Sequence, residues 1–310
     1  MPLLAEFLFD PFLGKPTWMW LVFLAIVAAV LAFDLGILHK DQKEIEVGES
    51  LKLSAFYFAL AMAFGGWVWW AMGAQSGMEY FTGFMVEWSL SLDNVFAISM
   101  IFGYFAVPRK YQHRVLFWGI LGVIVMRGAM IALGAAMVSQ FSWILYVFGA
   151  FLLFTGIKML WMADSESNVA DNPVLGFLRR HLRVTQDFHG ERFWVREKDA
   201  SGRLVRAATP LFLCLVLVEA VDLIFAVDSV PAIFAITQEP FIVYTSNIFA
   251  ILGLRALYFA LAAMIHRFRY LKYALALVLV FIGCKIFSVN LVGKMPPWIS
   301  LGVTTSLIAG

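Results

Sequence analysis

Five acidic residues lie inside stretches that are otherwise apolar enough to cross a membrane, and four of them form two similar groups. The first group is the segment Glu87–Asn94 and the second is Asp222–Ser229; each starts with an acid and has a second acid six residues later. Glu219 adds a fifth carboxylate one helical turn before the second group. A charged side chain at bilayer depth costs roughly 2.5–3.5 kcal/mol, so it usually faces a partner, a cavity or a substrate. We expect the two groups to be halves of one cation site.

The spacing of these acids constrains how they can cooperate. Positions six residues apart are about 240° apart on an ideal helix, so the two acids of a group do not share one face. Either they serve different partners or the helix is interrupted between them. Glu219 and Asp222, three residues apart, do share a face. Pro231 removes a backbone donor and frees the carbonyl of Val227 as a cation ligand, whereas the first group has Phe96 at the equivalent position.

The available ligand types favour a hard cation. Carboxylate, amide and carbonyl oxygens suit Mg²⁺, Ca²⁺ and Mn²⁺, whereas imidazole and thiolate suit zinc and copper. All five histidines fall in or beside predicted cytoplasmic loops. The two cysteines, Cys214 and Cys284, lack metal-binding spacing, and the methionines of the spans are expected to pack. The sequence alone therefore indicates a hard divalent cation.

The composition is that of an integral membrane protein. The 310 residues are 62% hydrophobic and only 14% charged, whereas soluble domains are about 45–50% apolar and 25% charged. The net charge of +2 gives no reason to expect a nucleic-acid partner. The N-terminal residues lack the basic start and cleavage site of a signal peptide, so the first span is expected to be retained.

Nine stretches come close to the roughly 20 apolar residues that a membrane-spanning helix needs. They lie at about 18–38, 51–73, 80–105, 115–137, 141–162, 209–236, 242–264, 271–291 and 297–310. Loops 1–2, 3–4, 5–6 and 7–8 are basic, whereas loops 2–3, 4–5 and 6–7 contain no Lys or Arg. Because basic residues accumulate on the cytoplasmic side, we expect a bacterial plasma (inner) membrane protein with its N-terminus outside.

Three landmarks recur in the same order on consecutive spans, which indicates an internal repeat. Arg127 and Arg255 each follow one acidic group, and each is followed five residues on by Ala-Leu-small-Ala. Lys158 and Lys285 come 31 and 30 residues after the arginines, each in a Phe-x-Gly-x-Lys context. Each repeat has three spans, an odd number, so the repeats are predicted to be inverted. Secondary transporters have this architecture, with the substrate site near the midplane between the halves.

The predicted fold class is an all-α polytopic membrane protein with about nine transmembrane helices and two inverted three-helix repeats. Residues 1–78 form peripheral spans 1 and 2, and residues 79–162 form repeat 1, spans 3–5. Residues 163–208 form a cytoplasmic loop with a short helix and a hairpin, residues 209–291 form repeat 2, spans 6–8, and residues 292–310 form a partial span 9.

Basic residues inside the spans are the expected partners of the acids. Arg127 and Arg255 lie deep enough to pair with them, whereas Lys158 and Lys285 stand near span ends and can extend to an interface. Alternatively, these cations occupy the carboxylates when metal is absent. Five acids against two deep bases leave negative charge for a substrate cation or protons. Asp34, near the end of span 1, is a candidate gate, ligand or interface residue.

The chain resembles the TerC family of integral membrane proteins. The motifs that carry the resemblance are Asp34–Lys40, Glu87–Asn94, Glu219–Asp222, Asp228–Pro231 and Arg255–Tyr258, and it covers nearly the whole chain. The family is associated with metal-ion homeostasis, especially manganese efflux, and historically with tellurium resistance, so the resemblance implies Mn²⁺ as the transported substrate. By match to the motifs, it implies a metal pathway of Glu87, Asp93, Asn94, Glu219, Asp222 and Asp228.

These observations favour a manganese exporter that is driven by protons and embedded in the lipid bilayer. The alternative is a membrane metal-binding or sensor protein that loads manganese onto extracytoplasmic or membrane partner proteins. It would use the same acids but bind partners through its loops. An enzyme is not expected: paired aspartates can perform intramembrane proteolysis, but the GxGD-like context of such proteases is absent.

Overall fold

The computed structural model describes residues 7–38, 47–141, 143–161, 169–198, 203–262, 271–292 and 295–309. Ten helices of these ranges are numbered here in chain order. They are α1 (Thr17–Leu38), α2 (Val47–Met72), α3 (Ala74–Tyr104), α4 (Arg109–Gln140), α5 (Ile144–Trp161), α6 (Pro173–His181), α7 (Pro210–Phe234), α8 (Pro240–Ala262), α9 (Leu271–Val292) and α10 (Pro297–Ala309). Two short antiparallel hairpins accompany them, β1 (Pro11–Phe12) with β2 (Lys15–Pro16) and β3 (Trp194–Lys198) with β4 (Leu204–Ala208).

Most of the long helices are suited to a membrane. Six helices of the described chain, α2, α3, α4, α5, α7 and α8, are long and apolar enough to cross one. The described parts of α1 and α9 contain shorter apolar segments, and α10 has 13 residues. The chain is therefore an all-α polytopic membrane protein. A helix stands at each predicted span, but the count of nine crossings stays a prediction.

Proline marks where several helices begin. Helices α6, α7, α8 and α10 each have proline as their first residue. Proline suits this position because the first backbone N–H of a helix has no intrahelical acceptor and the proline φ angle is already helical. Asn172 also caps α6 by accepting a hydrogen bond from Val174 N at 2.9 Å.

The central helices pack in pairs that the predicted repeat relates to each other. Helix α3 packs along α8, and α4 packs along α7; these pairs are equivalent if α3–α5 correspond to α7–α9. Helix α5 packs extensively along α9, and α3 also crosses α7. These pairs are compatible with the predicted two-fold relation between the halves, which stays a prediction, and α3, α4 and α7 lie around a common centre.

Two glycines make the α5–α9 crossing reciprocal. Gly156 of α5 faces Val280, and a Cβ added to this glycine would lie 2.8 Å from Val280 Cγ2. Gly283 of α9 faces Leu153, and its Cβ would lie 2.7 Å from Leu153 Cγ. Each glycine thus contacts the residue three positions before the other glycine. Both belong to the Phe-x-Gly-x-Lys landmarks, so the crossing supports the predicted repeat.

Helices α1 and α2 cover the outside of this centre. The ring of Phe23 on α1 packs against Phe64 of α2 and against Phe249 of α8, with ring centroids 5.9 Å and 5.7 Å away. Tyr80, at the start of α3, is fully buried against the same cluster and donates a hydrogen bond to Ala61 O at 3.1 Å. These helices add an aromatic layer around the centre.

The connections between helices associate in two groups. Arg114 at the start of α4 forms an ion pair of 3.2 Å with Glu191 in the segment between α6 and β3. Lys15, in the unpredicted β1–β2 hairpin, forms an ion pair of 2.7 Å with Glu239, just before α8. The first contact joins loops predicted to be cytoplasmic, and the second joins segments predicted to be outside. The short helix and hairpin predicted between spans 5 and 6 are present as α6 and β3–β4.

Candidate cation site

Arg127 lies at the centre of the molecule and joins the two predicted repeats. Its guanidinium donates to Glu87 Oε1 of α3 at 2.5 Å and to Ser229 Oγ of α7 at 2.8 Å. It also contacts both carboxylate oxygens of Asp222 at 3.4 Å. The side chains of Arg127 and Glu87 are each only 1% exposed. In the structure Arg127 thus pairs with both Glu87 and Asp222.

Polar contacts cross between α3 and α7 in a reciprocal pattern. Asn94 Nδ2 of α3 donates to Asp222 Oδ1 of α7 at 3.1 Å. Ser229 of α7 in turn interacts with the Glu87 carboxylate of α3. In the aligned repeats Glu87 corresponds to Asp222 and Asn94 to Ser229. In each group, the polar residue that follows the second acid therefore contacts the first acid of the other group.

A small cavity adjoins this cluster and exposes oxygens that have no hydrogen-bond partner in the structure. Glu87 Oε2 and Asn94 Oδ1 are buried without one. The cavity has a volume of about 30 Å³, room for one or two water-sized occupants. Its lining consists of Glu87, Leu90, Asn94, Arg127, Met159, Phe225, Asp228, Ser229 and Leu279. Oxygens of this kind are the ligands of a hard cation.

Asp228 reaches the same cavity from α7 but has different partners. It interacts with the Thr155 hydroxyl and, electrostatically, with the Lys158 ammonium, both on α5. Lys158 is exposed in the last turn of its helix, in agreement with the predicted position near a span end. Its interaction with Asp228 corresponds to the alternative that these basic residues occupy the carboxylates. Lys285 interacts electrostatically with Glu79 at the beginning of α3.

Both acid-bearing helices are continuous. Helix α3 runs unbroken through the first group, and α7 runs through Asp228 and Pro231. The alternative of a helix interrupted between the acids is therefore wrong for this structure. In α7 the two acids instead have different partners, because Asp222 faces Arg127 whereas Asp228 faces α5. The roughly 240° between them on one helix produces this division.

Glu219 lies one turn from the cluster, against the backbone of α4. A Cβ on Gly122 would lie 2.6 Å from Glu219 Oε2, and one on Gly119 would lie 3.8 Å from Oε1. Glu219 Oε2 is buried without a hydrogen-bond partner, and the carboxylate interacts electrostatically with Asp222. The two glycines thus leave space for a carboxylate that does not line the cavity.

Three predicted site residues have side chains outside the described part of the structure: Asp34, Asp93 and Arg255. Conversely, the structure adds Met159, Phe225 and Thr155 around Asp228 and the cavity. Met159 directly follows Lys158 in sequence, but this position alone does not distinguish a cavity-lining methionine from a packing one. No group of three His, Cys, Asp or Glu side chains in the described chain is arranged to hold a metal ion. In this arrangement Arg127 occupies the space between Glu87 and Asp222.

The fold and the site together define the class of this protein. It is a polytopic helical membrane protein in which two groups of helices share a buried charge cluster. The chain belongs to the TerC family, because the model described as "Integral membrane protein TerC family" matches residues 72–310. A relative from Escherichia coli, called "Putative membrane-bound redox modulator Alx", is 46% identical over 304 residues, 95% of this chain and 92% of that protein.

Other relatives are similar at the same level. An uncharacterized membrane protein of Myxococcus xanthus is 46% identical over 298 residues, covering 96% of this chain and 91% of the relative. One from Rickettsia bellii is 46% identical over 290 residues, covering 93% and 94%. No solved structure matches the chain.

Proposed function

We propose that the protein is a secondary transporter that exports Mn²⁺ from the cytoplasm. The observation that carries the proposal is the convergence of Glu87 and Asp222, 135 residues apart in sequence, on one buried centre. Around this centre lie a small cavity and buried oxygens without a hydrogen-bond partner. Membership of the TerC family supports manganese as the particular hard cation.

Arg127 acts in this proposal as an internal substitute for the transported ion. Its guanidinium compensates one of the two negative charges of Glu87 and Asp222 when no metal is bound, because two buried carboxylates without a cation would be strongly unfavourable. An entering Mn²⁺ competes for these oxygens and for those of Asn94 and Asp228. The guanidinium then has to withdraw, and this exchange alters the contact between α4 and the α3–α7 pair.

Energy for export is proposed to come from protons. Moving a divalent ion outward against an inside-negative potential costs about 4.6 kcal/mol per 100 mV. Carboxylates such as Asp228 can bind either metal or protons, so inward proton movement can release the metal outside. The Asp228 carboxylate, with Lys158 and Thr155 beside it, is the proposed coupling group.

The proposed location is the bacterial plasma membrane with the N-terminus outside. Two observations support this location: basic and non-basic loops alternate along the chain, and ion pairs form between connections of the same set. The Arg114–Glu191 pair joins two connections of the basic set, and the Lys15–Glu239 pair joins segments of the opposite set.

Flux of Mn²⁺ in proteoliposomes tests the proposal. We expect transport by the native chain to be accelerated by a pH gradient, and Asp228→Asn to abolish this acceleration. Glu49→Gln is the matched control, because Glu49 is exposed in the first turn of α2 and far in sequence from the acidic groups. Transport unaffected by the gradient in the native chain would overturn proton coupling.

The rival function is a metal-binding protein that loads manganese onto partners. The folded segment between α5 and α7, with α6 and the β3–β4 hairpin, is the surface that such a protein would use. Stoichiometric Mn²⁺ binding without flux under any gradient would favour this function. A redox role, as named for some relatives, has less support here, because the two cysteines lie on different helices and Cys214 is buried.

A further inference from the structure

The folded segment between α5 and α7 carries an open cavity of about 560 Å³ with a basic and aromatic lining. The lining residues are His189, Arg192, Trp194, Val195, Arg196 and Arg206. None of them belongs to the candidate cation site. Within the described chain, no carboxylate lies at ion-pair distance from Arg192, Arg196 or Arg206. We call this feature the hairpin pocket.

The register of the β3–β4 hairpin concentrates positive charge on one face. Arg196 and Arg206 are directly opposite each other, and like charges at opposed positions destabilise a strand pair. Trp194 is on the same face, and the Arg206 guanidinium lies 4.6 Å from the centroid of its ring. Glu197 alternates to the other face and forms an ion pair of 3.0 Å with His189. Among the described residues, no carboxylate lies within ion-pair distance of the opposed arginines, and the acid beside the pocket, Glu197, is paired with His189 of the lining.

Contacts to α7 place the hairpin pocket where that helix leaves the membrane. Thr209, the residue before α7, donates from its hydroxyl to Arg192 O at 2.7 Å and from its N–H to Phe193 O at 2.9 Å. The Trp194 ring packs on Phe212, in the first turn of α7, with centroids 4.6 Å apart. Because α7 begins at Pro210 and is apolar enough to span a bilayer, we infer that the arginines lie near the level of lipid headgroups. Tryptophan is typical of this level.

We propose that the hairpin pocket binds the phosphate group of an anionic lipid headgroup. Arginine presents a planar fork of donors that matches phosphate oxygens, and two opposed arginines can hold one phosphate between them. The N-terminal end of α7 adds a partial positive charge nearby. Phosphate from a soluble compound would satisfy the same arginines. The inferred position of the pocket at the bilayer surface favours a lipid as the source.

Lipid titration of the purified, delipidated full-length protein in detergent, followed by native mass spectrometry, tests this proposal. The probes are phosphatidylglycerol, zwitterionic phosphatidylcholine and inorganic phosphate. For Arg196→Gln/Arg206→Gln we expect phosphatidylglycerol affinity to fall roughly tenfold or more, since each basic residue near a membrane surface contributes about 1 kcal/mol. Arg196→Lys/Arg206→Lys, which keeps the charge but loses the fork, should lie between this variant and the native chain.

The matched control is Arg180→Gln/Arg183→Gln, which removes two exposed arginines of the same segment outside the pocket lining. This control should keep its affinity for phosphatidylglycerol. Equal losses in the control and in Arg196→Gln/Arg206→Gln would overturn the pocket as a specific site. The assignment of the ligand as an anionic lipid headgroup would be overturned by either of two results. One is equal affinity of the native chain for phosphatidylcholine and phosphatidylglycerol, and the other is saturation by inorganic phosphate without lipid preference. Unchanged melting temperatures without lipid would show that the variants remain folded.

Discussion

At the scale of single residues, the charge balance around Arg127 governs both stability and the proposed exchange. The guanidinium has two carboxylates and a serine hydroxyl as partners, and its side chain is 1% exposed. A buried ion pair adds little net stability compared with an apolar replacement of both partners. Removing one partner, however, leaves an uncompensated charge. Arg127 is therefore predicted to be required for folding as well as for transport.

Arg127→Met tests this prediction. We expect its free energy of unfolding to fall by about 3–5 kcal/mol, because Glu87 and Asp222 lose their shared cation. The triple variant Arg127→Met/Glu87→Gln/Asp222→Asn, which removes all three charges, should recover part of this loss. Unfolding in detergent provides the measurement. Equal stability of Arg127→Met and the native chain would contradict the account.

Met159 is the one sulfur-containing residue in the lining of the cavity. A thioether is a softer ligand than an oxygen and discriminates against Mg²⁺ and Ca²⁺ more than against transition metals. Met159→Leu keeps the approximate volume and removes the sulfur. We expect Mg²⁺ to compete several-fold better with Mn²⁺ in this variant, as measured by competition binding. Met130→Leu, in a separate apolar cluster, should leave the competition unchanged.

At the scale of helices, close approach at glycines determines where charged side chains can sit. The carboxylate of Glu219 occupies the space that a side chain at Gly122 would need. We expect Gly122→Ala to lower the free energy of unfolding by about 1–3 kcal/mol through overpacking. Gly122→Ala/Glu219→Ala should restore stability, because it removes the overlapping carboxylate. A double variant no more stable than Gly122→Ala would show that Glu219 is not the group in conflict.

The reciprocal α5–α9 crossing predicts matched effects in the two halves. Gly156→Ala and Gly283→Ala place a Cβ within 2.8 Å and 2.7 Å of the facing side chain. Each should therefore destabilise the protein by a similar amount, about 1–3 kcal/mol. Gly66→Ala is the control, since nothing lies within 4 Å of its added Cβ. The free energy of unfolding in detergent is the quantity to measure. A large effect of only one of the two substitutions would argue against the two-fold relation.

Helix positions were predictable because a membrane imposes a simple rule on length and hydropathy. The helix α3 predicted at about 80–105 is observed at Ala74–Tyr104, and α9 predicted at about 271–291 is observed at Leu271–Val292. The β1–β2 hairpin was missed because two-residue strands leave no periodic signal.

The site was predictable as a set of residue types but not as a geometry. Acids inside apolar spans identified Glu87, Asp222 and Asp228, and the repeat identified Arg127. Their pairing depends on how α3, α4 and α7 cross, which no local pattern specifies. Met159 was missed for the same reason, since a methionine that lines a cavity has the same sequence signature as one that packs.

In the whole molecule, one buried charge cluster joins two halves of the chain. Glu87 comes from α3 and Asp222 from α7, yet both contact one guanidinium. If the halves move relative to each other during transport, these contacts are the ones that must break and re-form. Each of the two acids should therefore be indispensable, although they lie on separate helices.

The most direct measurement is the initial rate of Mn²⁺ flux in proteoliposomes for Glu87→Gln and Asp222→Asn, each reconstituted to the same protein density as the native chain. We predict that each substitution alone abolishes Mn²⁺ flux. The Glu49→Gln variant, changed in the first turn of α2, should transport at the native rate. Native flux in a folded Glu87→Gln or Asp222→Asn variant would contradict a single cation site shared by the two halves.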